Sequence, residues 1–196
     1  MDFFEVVKNR RSVRQYKPDP VSREDILRVL DAANWAPSAM NWQPWRFLVV
    51  SGERQKALGE SYRAVVENYT RNWDEAAERK AAISRDAFIR YAANFGNAPV
   101  LLVLTVPASA EPNIAKANLE SASAAMENLV LAATALGLGT CWMTGPLNDE
   151  GGLRRVLEIP DDQALVAVTP LGYPAALPRP LPRVDPDLTA KVQWLD

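Results

Sequence analysis

The segment at residues 10–14 reads R-R-S-V-R, and its residue types are those that bind phosphate. An arginine guanidinium can bind two phosphate oxygens at once, and a serine hydroxyl adds a short hydrogen-bond donor. In a loop that follows a helix, Arg11, Ser12 and Arg14 could converge on one phosphate group. The alternative is a solvent-exposed basic turn whose charges pair with nearby acids such as Glu5.

A second segment, P-S-A-M-N-W-Q-P-W at residues 37–45, combines polar side chains with aromatic rings. Ser38, Asn41 and Gln43 offer hydrogen-bonding groups, and tryptophans flank them. A flat heteroaromatic ligand needs apolar walls and a few placed polar groups, which this composition could supply. The alternative is a rigid loop whose tryptophans cover the core.

The third segment, G-L-G-T-C-W-M-T-G at residues 137–145, resembles a glycine-rich nucleotide loop but lacks its pattern. The third glycine of a dinucleotide fingerprint would fall at Trp142, and the order here is helix to strand. We expect Gly137 and Gly139 to end a helix and form a tight turn. Cys141, in an apolar run without an activating neighbour, is predicted to be an unreactive core thiol.

The composition excludes several kinds of chemistry. The 196 residues include no histidine and one cysteine, which removes histidine-based acid–base and nucleophile systems and nearly every catalytic zinc, copper or iron site. We therefore expect no metal site and no side chain that performs the reaction alone; a bound cofactor would carry the chemistry. The net charge of −2 argues against nucleic acid as a partner. No membrane-length apolar run or signal peptide is visible, which predicts a cytoplasmic protein with no membrane association.

The hydrophobic pattern predicts the elements that position these segments within one domain, residues 1–196. Helices are expected at 3–9, after Ser22, twice within 53–94, and at 114–136, where Leu119, Ala122, Met126, Leu129, Ala133 and Leu136 form an apolar stripe. Buried strands are expected at 45–50, 99–106, 141–144 and 164–169, with a short helix between the last two. Six prolines from Pro170 to Pro186 exclude a helix or a central strand there, so about 173–196 is predicted to be an extended arm.

Together, in this order and spacing, the three segments resemble the nitroreductase family of FMN-dependent enzymes. The motifs RRSVR, PSAMNWQPWRF and ALGLGTCWMTG, followed by LGYP and a proline-rich tail that contains Arg183, all match. The resemblance covers essentially the whole chain, although residues 53–95 match only in their charged, helical character. It implies an α+β, three-layer α-β-α fold with a central mixed, mainly antiparallel sheet and a domain-swapped C-terminal arm.

The resemblance also implies a homodimer that shares two FMN sites between its subunits. Arg10, Ser12 and Arg14, with Arg11, would hold the FMN phosphate and ribityl chain. The flavin contacts implied for the other subunit are Pro37, Ser38, Ala39, Asn41 and Gln43. Trp142, Met143, Thr144 and Gly145 would run under the ring, with a backbone N–H of Thr144 or Gly145 near flavin N5. Arg183 would reach the phosphate from the arm.

Two positions depart from the family pattern. A basic residue often lies two positions before the tail arginine; here that position is Leu181, and Arg179 could substitute. Some relatives have an acidic residue at the position of Thr144, so hydrogen bonding near N5 would depend on the backbone.

The predicted function is a ping-pong transfer of hydride from NADH or NADPH, through FMN, to a small acceptor such as a nitroaromatic or a quinone. Residues 53–95 would cover the substrate. Two alternatives stay open: another flavin reaction on the same fold, such as reductive dehalogenation or dehydrogenation, and a non-catalytic flavin-storage protein.

Overall fold

The computed structural model describes residues 2–81, 83–180, 182–184 and 186–195. Its helices are α1 (Phe3–Asn9), α2 (Arg23–Asn34), α3 (Gly52–Tyr69), α4 (Glu75–Ala81), α5 (Arg85–Asn94), α6 (Pro112–Ala135) and α7 (Glu150–Leu157). The strands are β1 (Arg46–Val50), β2 (Val100–Pro107), β3 (Gly139–Thr140) and β4 (Gln163–Gly172). Short 3-10 turns occupy Ala39–Asn41, Phe95–Asn97, Gly145–Asp149 and Thr189–Lys191.

The helix starts follow from local capping chemistry. The Asp2 carboxylate accepts a hydrogen bond from the Glu5 backbone N–H at 3.0 Å, and the Glu5 carboxylate accepts one from the Asp2 N–H at 3.2 Å. The Ser22 hydroxyl accepts one from the Asp25 N–H at 3.0 Å and so begins α2. Each bond satisfies a backbone donor that the first helical turn leaves unpaired.

The sheet has the order β1-β2-β4-β3, and all its strand pairs are antiparallel. One parallel bridge is found among the described residues, between Ser12 and Thr140. It places the basic segment 10–14 beside β3. The predicted mixed, mainly antiparallel sheet is confirmed.

Helices cover both faces of the sheet. Leu101 and Val103 of β2 contact one core cluster, which α3, α5 and α7 complete. Leu102 and Leu104, next to them in sequence, point to the opposite face and pack with α2 and α6. Successive side chains of a strand point to opposite faces, so an uninterrupted apolar run requires a helical layer on each side. The predicted three-layer α+β architecture is confirmed.

Several element boundaries differ from the predictions. Residues 53–94 form three helices where two were expected, and β3 ends at Thr140, so Cys141–Thr144 is not a strand. In the stripe of α6, Leu119 is exposed because it lies outside the face that packs on the sheet.

Strand β4 continues through Pro170 in the middle of the sheet, so the prediction of no central strand there is wrong. The Val168 N–H donates to the Met143 carbonyl at 3.0 Å, and backbone groups two residues apart in a strand face the same side. The Pro170 nitrogen therefore also faces the β3 side. Thr140 pairs with Leu171 and Met143 bridges Val168 in the same register, so Pro170 faces Cys141, where the missing N–H interrupts the ladder and β3 ends.

The C-terminal arm leaves the domain after a short pairing with residues 15–17, which follow the basic segment. The Lys17 N–H donates to the Tyr173 carbonyl and the Ala175 N–H to the Gln15 carbonyl, each at 2.9 Å. Beyond residue 175 all described residues are exposed, whereas Leu181 lies outside the described residues. None of the described helices is long and apolar enough to cross a membrane.

We expect Gly139→Ala to destabilise the protein. A Cβ at residue 139 would lie 2.7 Å from a Val13 methyl group, and Val13 is a buried, β-branched side chain with little freedom to move. Such overpacking costs about 1–3 kcal/mol, which chemical denaturation would measure. Gly151→Ala is the matched control, because Gly151 is exposed on α7 and its Cβ would only reach ordinary contact at 3.6 Å. Equal stability of the two variants would contradict this packing.

Candidate functional site

The fold places the basic segment 10–14 beside the chain that leads into residues 142–145. The Val13 N–H donates to the Thr140 carbonyl at 2.8 Å, and Ser12 forms the parallel bridge to Thr140. Gly139 allows this approach, because any side chain at residue 139 would collide with Val13. Two of the three segments singled out from the sequence therefore lie side by side.

The arginines of the basic segment are held in different ways. Arg11 donates from one guanidinium nitrogen to the carbonyls of Lys8 and Arg10, each at 2.7 Å. Arg14 is exposed, and its guanidinium lies 3.4 Å from the Ser12 carbonyl. Arg10 caps the C-terminus of α1 and is half-buried. None of these arginines has an acidic partner among the described ion pairs, contrary to the solvated-turn alternative.

A cavity of about 630 Å³ adjoins this segment. Arg11 and Lys17 contribute two cationic side chains, and Thr134 at the end of α6 and Leu177 at the base of the arm form other parts of the wall. Its size lies within the range of small-molecule sites, and the first residues of the arm line it together with both cations.

Residues 142–145 are fixed through Met143. Its carbonyl accepts from Val168 at 3.0 Å, and its sulfur accepts from the Tyr91 hydroxyl at 2.9 Å. Met143 is buried, whereas Trp142 and Thr144 on either side of it are exposed. Within the described residues, nothing accepts a hydrogen bond from the Thr144 N–H. This stretch therefore presents a rigid backbone with an available donor.

Three buried tyrosines lie around this stretch and around Cys141, which is buried and free as predicted. Burial raises the pKa of Tyr62 to about 12, and burial likewise raises the pKa of Tyr16 and of Tyr91. All three phenols therefore keep their protons at neutral pH and can act as hydrogen-bond donors.

The second segment is anchored elsewhere. The Ala39 N–H donates to the Ser121 hydroxyl of α6 at 3.1 Å. The Ser38 hydroxyl accepts from the Gln43 N–H, and the Gln43 amide donates to the Asn41 side-chain oxygen, both at 3.0 Å. Pro37 and Asn41 are exposed beside them. Ser38 and Gln43 thus shape the loop, and the Asn41 amide nitrogen points to no acceptor among the described contacts.

The tryptophans of this loop do not share one role. Trp45 is buried and donates to the Asn34 side chain at 2.9 Å, as the core-covering alternative requires. Trp35 is 80% exposed and Trp42 53% exposed, so neither covers the core of its own chain.

A single chain does not unite all three segments. The loop 37–43 is bonded to Ser121, whereas the cavity beside Arg11 contacts Thr134. Thirteen residues of α6 separate these two positions, and a helix covers that separation in about 20 Å. Arg183 on the arm is exposed.

Sequence reasoning missed the residues that support the site. Ser121 anchors the loop, Tyr91 holds Met143, and Tyr62 contacts Gly145, where an added Cβ would lie 3.0 Å from the Tyr62 hydroxyl. A serine within an alanine-rich helical face is a weak signal for such an anchor. No local pattern marks Tyr62 or Tyr91, because their partners lie more than fifty residues away in the chain.

Comparison with known proteins identifies relatives along the whole chain. A 34% identical protein of Methanothermobacter thermautotrophicus, named as an NADH dehydrogenase/NAD(P)H nitroreductase, matches over 99% of this chain and 88% of its own length. The iodotyrosine deiodinase of Thermotoga neapolitana is 31% identical, over 87% of this chain and 88% of that protein.

Solved structures agree. An iodotyrosine deiodinase bound to FMN and 3-iodo-L-tyrosine superposes with a TM-score of 0.81 at 26% identity, covering 100% of both chains. The FMN- and NADPH-dependent nitroreductase NfnB from Sphingopyxis sp. strain HMH superposes with a TM-score of 0.79 at 25% identity, also over 100% of both chains. The nitroreductase family model matches residues 7–173. The chain therefore belongs to the nitroreductase family and is an oxidoreductase.

Proposed function

We propose that this protein is an FMN-dependent oxidoreductase that passes hydride from NADH or NADPH to a small aromatic acceptor. The observation that carries the proposal is the juxtaposition of the basic segment with residues 142–145 through the bond from Val13 to Thr140. The basic segment suits a phosphate group, and residues 142–145 offer a backbone surface for a flat ring.

The residues of the basic segment fit the FMN phosphate. Arg10, Ser12 and Arg14 supply two cations and a hydroxyl within five consecutive residues, and Arg14 is exposed without an acidic partner. Arg11 would contribute its charge to the same region while its guanidinium stays bonded to backbone carbonyls. The nearby cavity of about 630 Å³ has room for a ligand of this kind.

Residues 142–145 fit the isoalloxazine ring. Trp142 and Met143 would lie along it, and the backbone N–H groups of Thr144 and Gly145 would donate toward N5. The Thr144 donor has no partner in the described chain, which supports this role. FMN, when bound, supplies the hydride chemistry that a chain without histidine cannot perform. The chain itself holds the donors near the ring, where they would stabilise negative charge.

The site would be completed by a second copy of the chain. The loop that carries Pro37, Ser38, Ala39, Asn41 and Gln43 would contact the flavin of the partner. Trp35, Met40 and Trp42 lie within eight residues of the chain and are each more than half exposed, which is unusual for apolar side chains so close together and supports a homodimer interface; Phe4 of α1 is also exposed. The arm would wrap the partner and bring Arg183, with Arg179 beside it, to the phosphate.

Reductive dehalogenation is the second candidate. It is favoured by the likeness to the iodotyrosine deiodinases, whose solved structure covers the chain as fully as the nitroreductase NfnB and superposes with a similar TM-score. The two reactions share the cofactor site and differ in the acceptor.

An anaerobic titration with NADH and with NADPH tests the proposal. The purified protein should release FMN, and not FAD, on heating, and the bound flavin should lose its yellow colour when either nucleotide is added. A protein that stays yellow with both would be a flavin-storage protein. FAD, or no flavin even after FMN is supplied, would overturn the cofactor assignment.

We expect Arg14→Glu to lose FMN while keeping its fold. A carboxylate beside the phosphate replaces a charge-assisted bond with repulsion, and loss of the bond alone costs about 1.5–3 kcal/mol, or roughly 10- to 150-fold in Kd. Quenching of flavin fluorescence on titrating the apoprotein would measure this. Arg46→Glu is the control, since Arg46 is equally exposed but lies on β1, at the opposite edge of the sheet from β3. An unchanged affinity in Arg14→Glu would restore the solvated-turn interpretation.

Deleting residues 177–196 should weaken the dimer and FMN binding together. This cut keeps the pairing of Tyr173 and Ala175 with residues 15–17, so the domain should stay folded. Light scattering and flavin absorbance would report the two losses. The variant Arg183→Ala distinguishes the loss of FMN from the loss of the dimer, since it should lower FMN retention while the dimer stays intact. A truncated protein that remains a flavin-loaded dimer would show that the arm does not bridge the subunits.

A further inference from the structure

A second cavity, of about 470 Å³, lies between α3, α5 and the 3-10 turn Gly145–Asp149. Tyr62 and Val66 of α3 and Phe88 of α5 form its walls, Tyr69 lies at the rim, and Gly145 contributes backbone. The volume suits a single aromatic ring with substituents. Because Gly145 belongs to both this cavity and the stretch 142–145, the cavity opens where the proposed function places the ring of FMN.

The lining of this cavity combines aromatic and valine side chains with two neutral amides, Asn68 and Asn148, and contains no charged side chain among the described residues. Its rings form a connected set: Tyr62 contacts Phe88 edge-on at 6.4 Å, Phe88 contacts Trp73 at 6.1 Å, and Trp73 contacts Tyr69 at 5.7 Å. Such walls favour planar apolar ligands.

Several charged groups on the elements around the cavity are engaged elsewhere. On α3, Arg63 pairs with Glu67 at 3.2 Å. Asp149, at the end of the 3-10 turn, accepts from the Ser61 hydroxyl at 2.7 Å and from the Gly152 N–H at 3.0 Å. The positive charge of Arg14 lowers the pKa of Tyr62, but burial raises it by more. Under the proposed function, Arg14 binds the FMN phosphate and is not available to an acceptor.

One polar group is directed to this space without a partner. The side chains of Tyr16 and Tyr91 donate their hydroxyl protons to Val13 and Met143, but the Tyr62 hydroxyl has no hydrogen-bond partner in the described chain. Tyr62 is 5% exposed and its oxygen lies against Gly145. The Tyr62 oxygen is not among the fully buried unpaired polar atoms of the described residues, so it is accessible from the cavity and can donate its proton to a ligand oxygen.

We infer that this cavity binds the electron acceptor, that it selects uncharged aromatic compounds over carboxylates and zwitterions, and that the Tyr62 hydroxyl donates a hydrogen bond to an oxygen of the acceptor. The inference rests on the proposed function for the source of electrons. A nitro group would take a hydride and a proton, lose one oxygen as water and become a nitroso group, while NAD(P)H is oxidised to NAD(P)⁺. A carboxylate entering the same cavity would lose its hydration without meeting a cation.

Two acceptors of matched shape test the selectivity. 4-Nitrobenzamide and 4-nitrobenzoate differ mainly in charge, and kcat/KM of the holoenzyme should be at least about tenfold higher for the amide. Their dissociation constants for the oxidised holoenzyme, measured by calorimetry without NAD(P)H, should differ in the same direction. 3-Iodo-L-tyrosine, a zwitterion, should bind no better than 4-nitrobenzoate. Equal or tighter binding of 4-nitrobenzoate or of 3-iodo-L-tyrosine would overturn the inference.

Tyr62→Phe tests the hydrogen bond. This change removes only the hydroxyl, and since the hydroxyl has no partner within the chain, the melting temperature should not fall. The kcat/KM for 4-nitrobenzamide should fall by about three- to tenfold, the effect of one neutral hydrogen bond, while anaerobic bleaching by NAD(P)H stays unchanged. Ser51→Ala is the control: it removes an exposed hydroxyl that makes no capping bond at the start of the same helix, α3, outside the cavity lining, and it should leave both unchanged.

The failures of the two proposals are distinguishable. If NAD(P)H does not bleach the wild-type flavin, the proposed function fails whatever the acceptor binding shows. If bleaching occurs and Tyr62→Phe reduces 4-nitrobenzamide as well as the wild type does, the role of Tyr62 is wrong. If bleaching occurs and the calorimetric preference for the amide is absent, the charge selectivity is wrong.

Discussion

The hydrogen bond from Val13 to Thr140, made possible by a glycine at residue 139, is the constraint on which the site depends. It holds an arginine-rich segment against the edge of a sheet that buries both of its faces. Without it, the charges of residues 10–14 would have no fixed relation to residues 142–145. A Cβ at residue 139 would collide with Val13, so the approach of the two chains requires the absence of a side chain there.

Strand β3 is short because of a proline on the strand beside it. Pro170 on the neighbouring strand has no N–H to continue the ladder, and β3 ends at Thr140. The chain that follows keeps the register of β3 along β4, because Met143 bridges Val168, and the hydroxyl of Tyr91 also holds Met143. A strand that continued through residue 144 would use its N–H groups in pairing, whereas here the Thr144 N–H meets no acceptor in the described chain.

Several exposed features of the single chain share one explanation under the proposed dimer. The loop 37–43 is anchored about 20 Å along α6 from the cavity at the basic segment. Met40 and Trp42 in this loop and Trp35 just before it are exposed. The apolar residues of the arm that the structure describes, among them Leu177 and Trp194, are also exposed. A second subunit would cover these surfaces and bring the loop to the flavin. The acceptor cavity beside Gly145, by contrast, is formed by α3, α5 and the 3-10 turn of one chain.

Features that depend on neighbouring residues along the chain could be predicted from the sequence. Caps at Asp2 and Ser22, buried strands as apolar runs, and the residue types of the three segments are all local features, and the order of those segments was enough to suggest the family. Contacts between distant residues could be decided only by the tertiary structure. Whether Pro170 interrupts a central strand depends on which way its nitrogen faces, and the exposure of Leu119 depends on which helix face meets the sheet. The Tyr62 hydroxyl lies against Gly145, 83 residues further along the chain, and forms no hydrogen bond with it. Such contacts are decided by tertiary packing and not by spacing in the sequence.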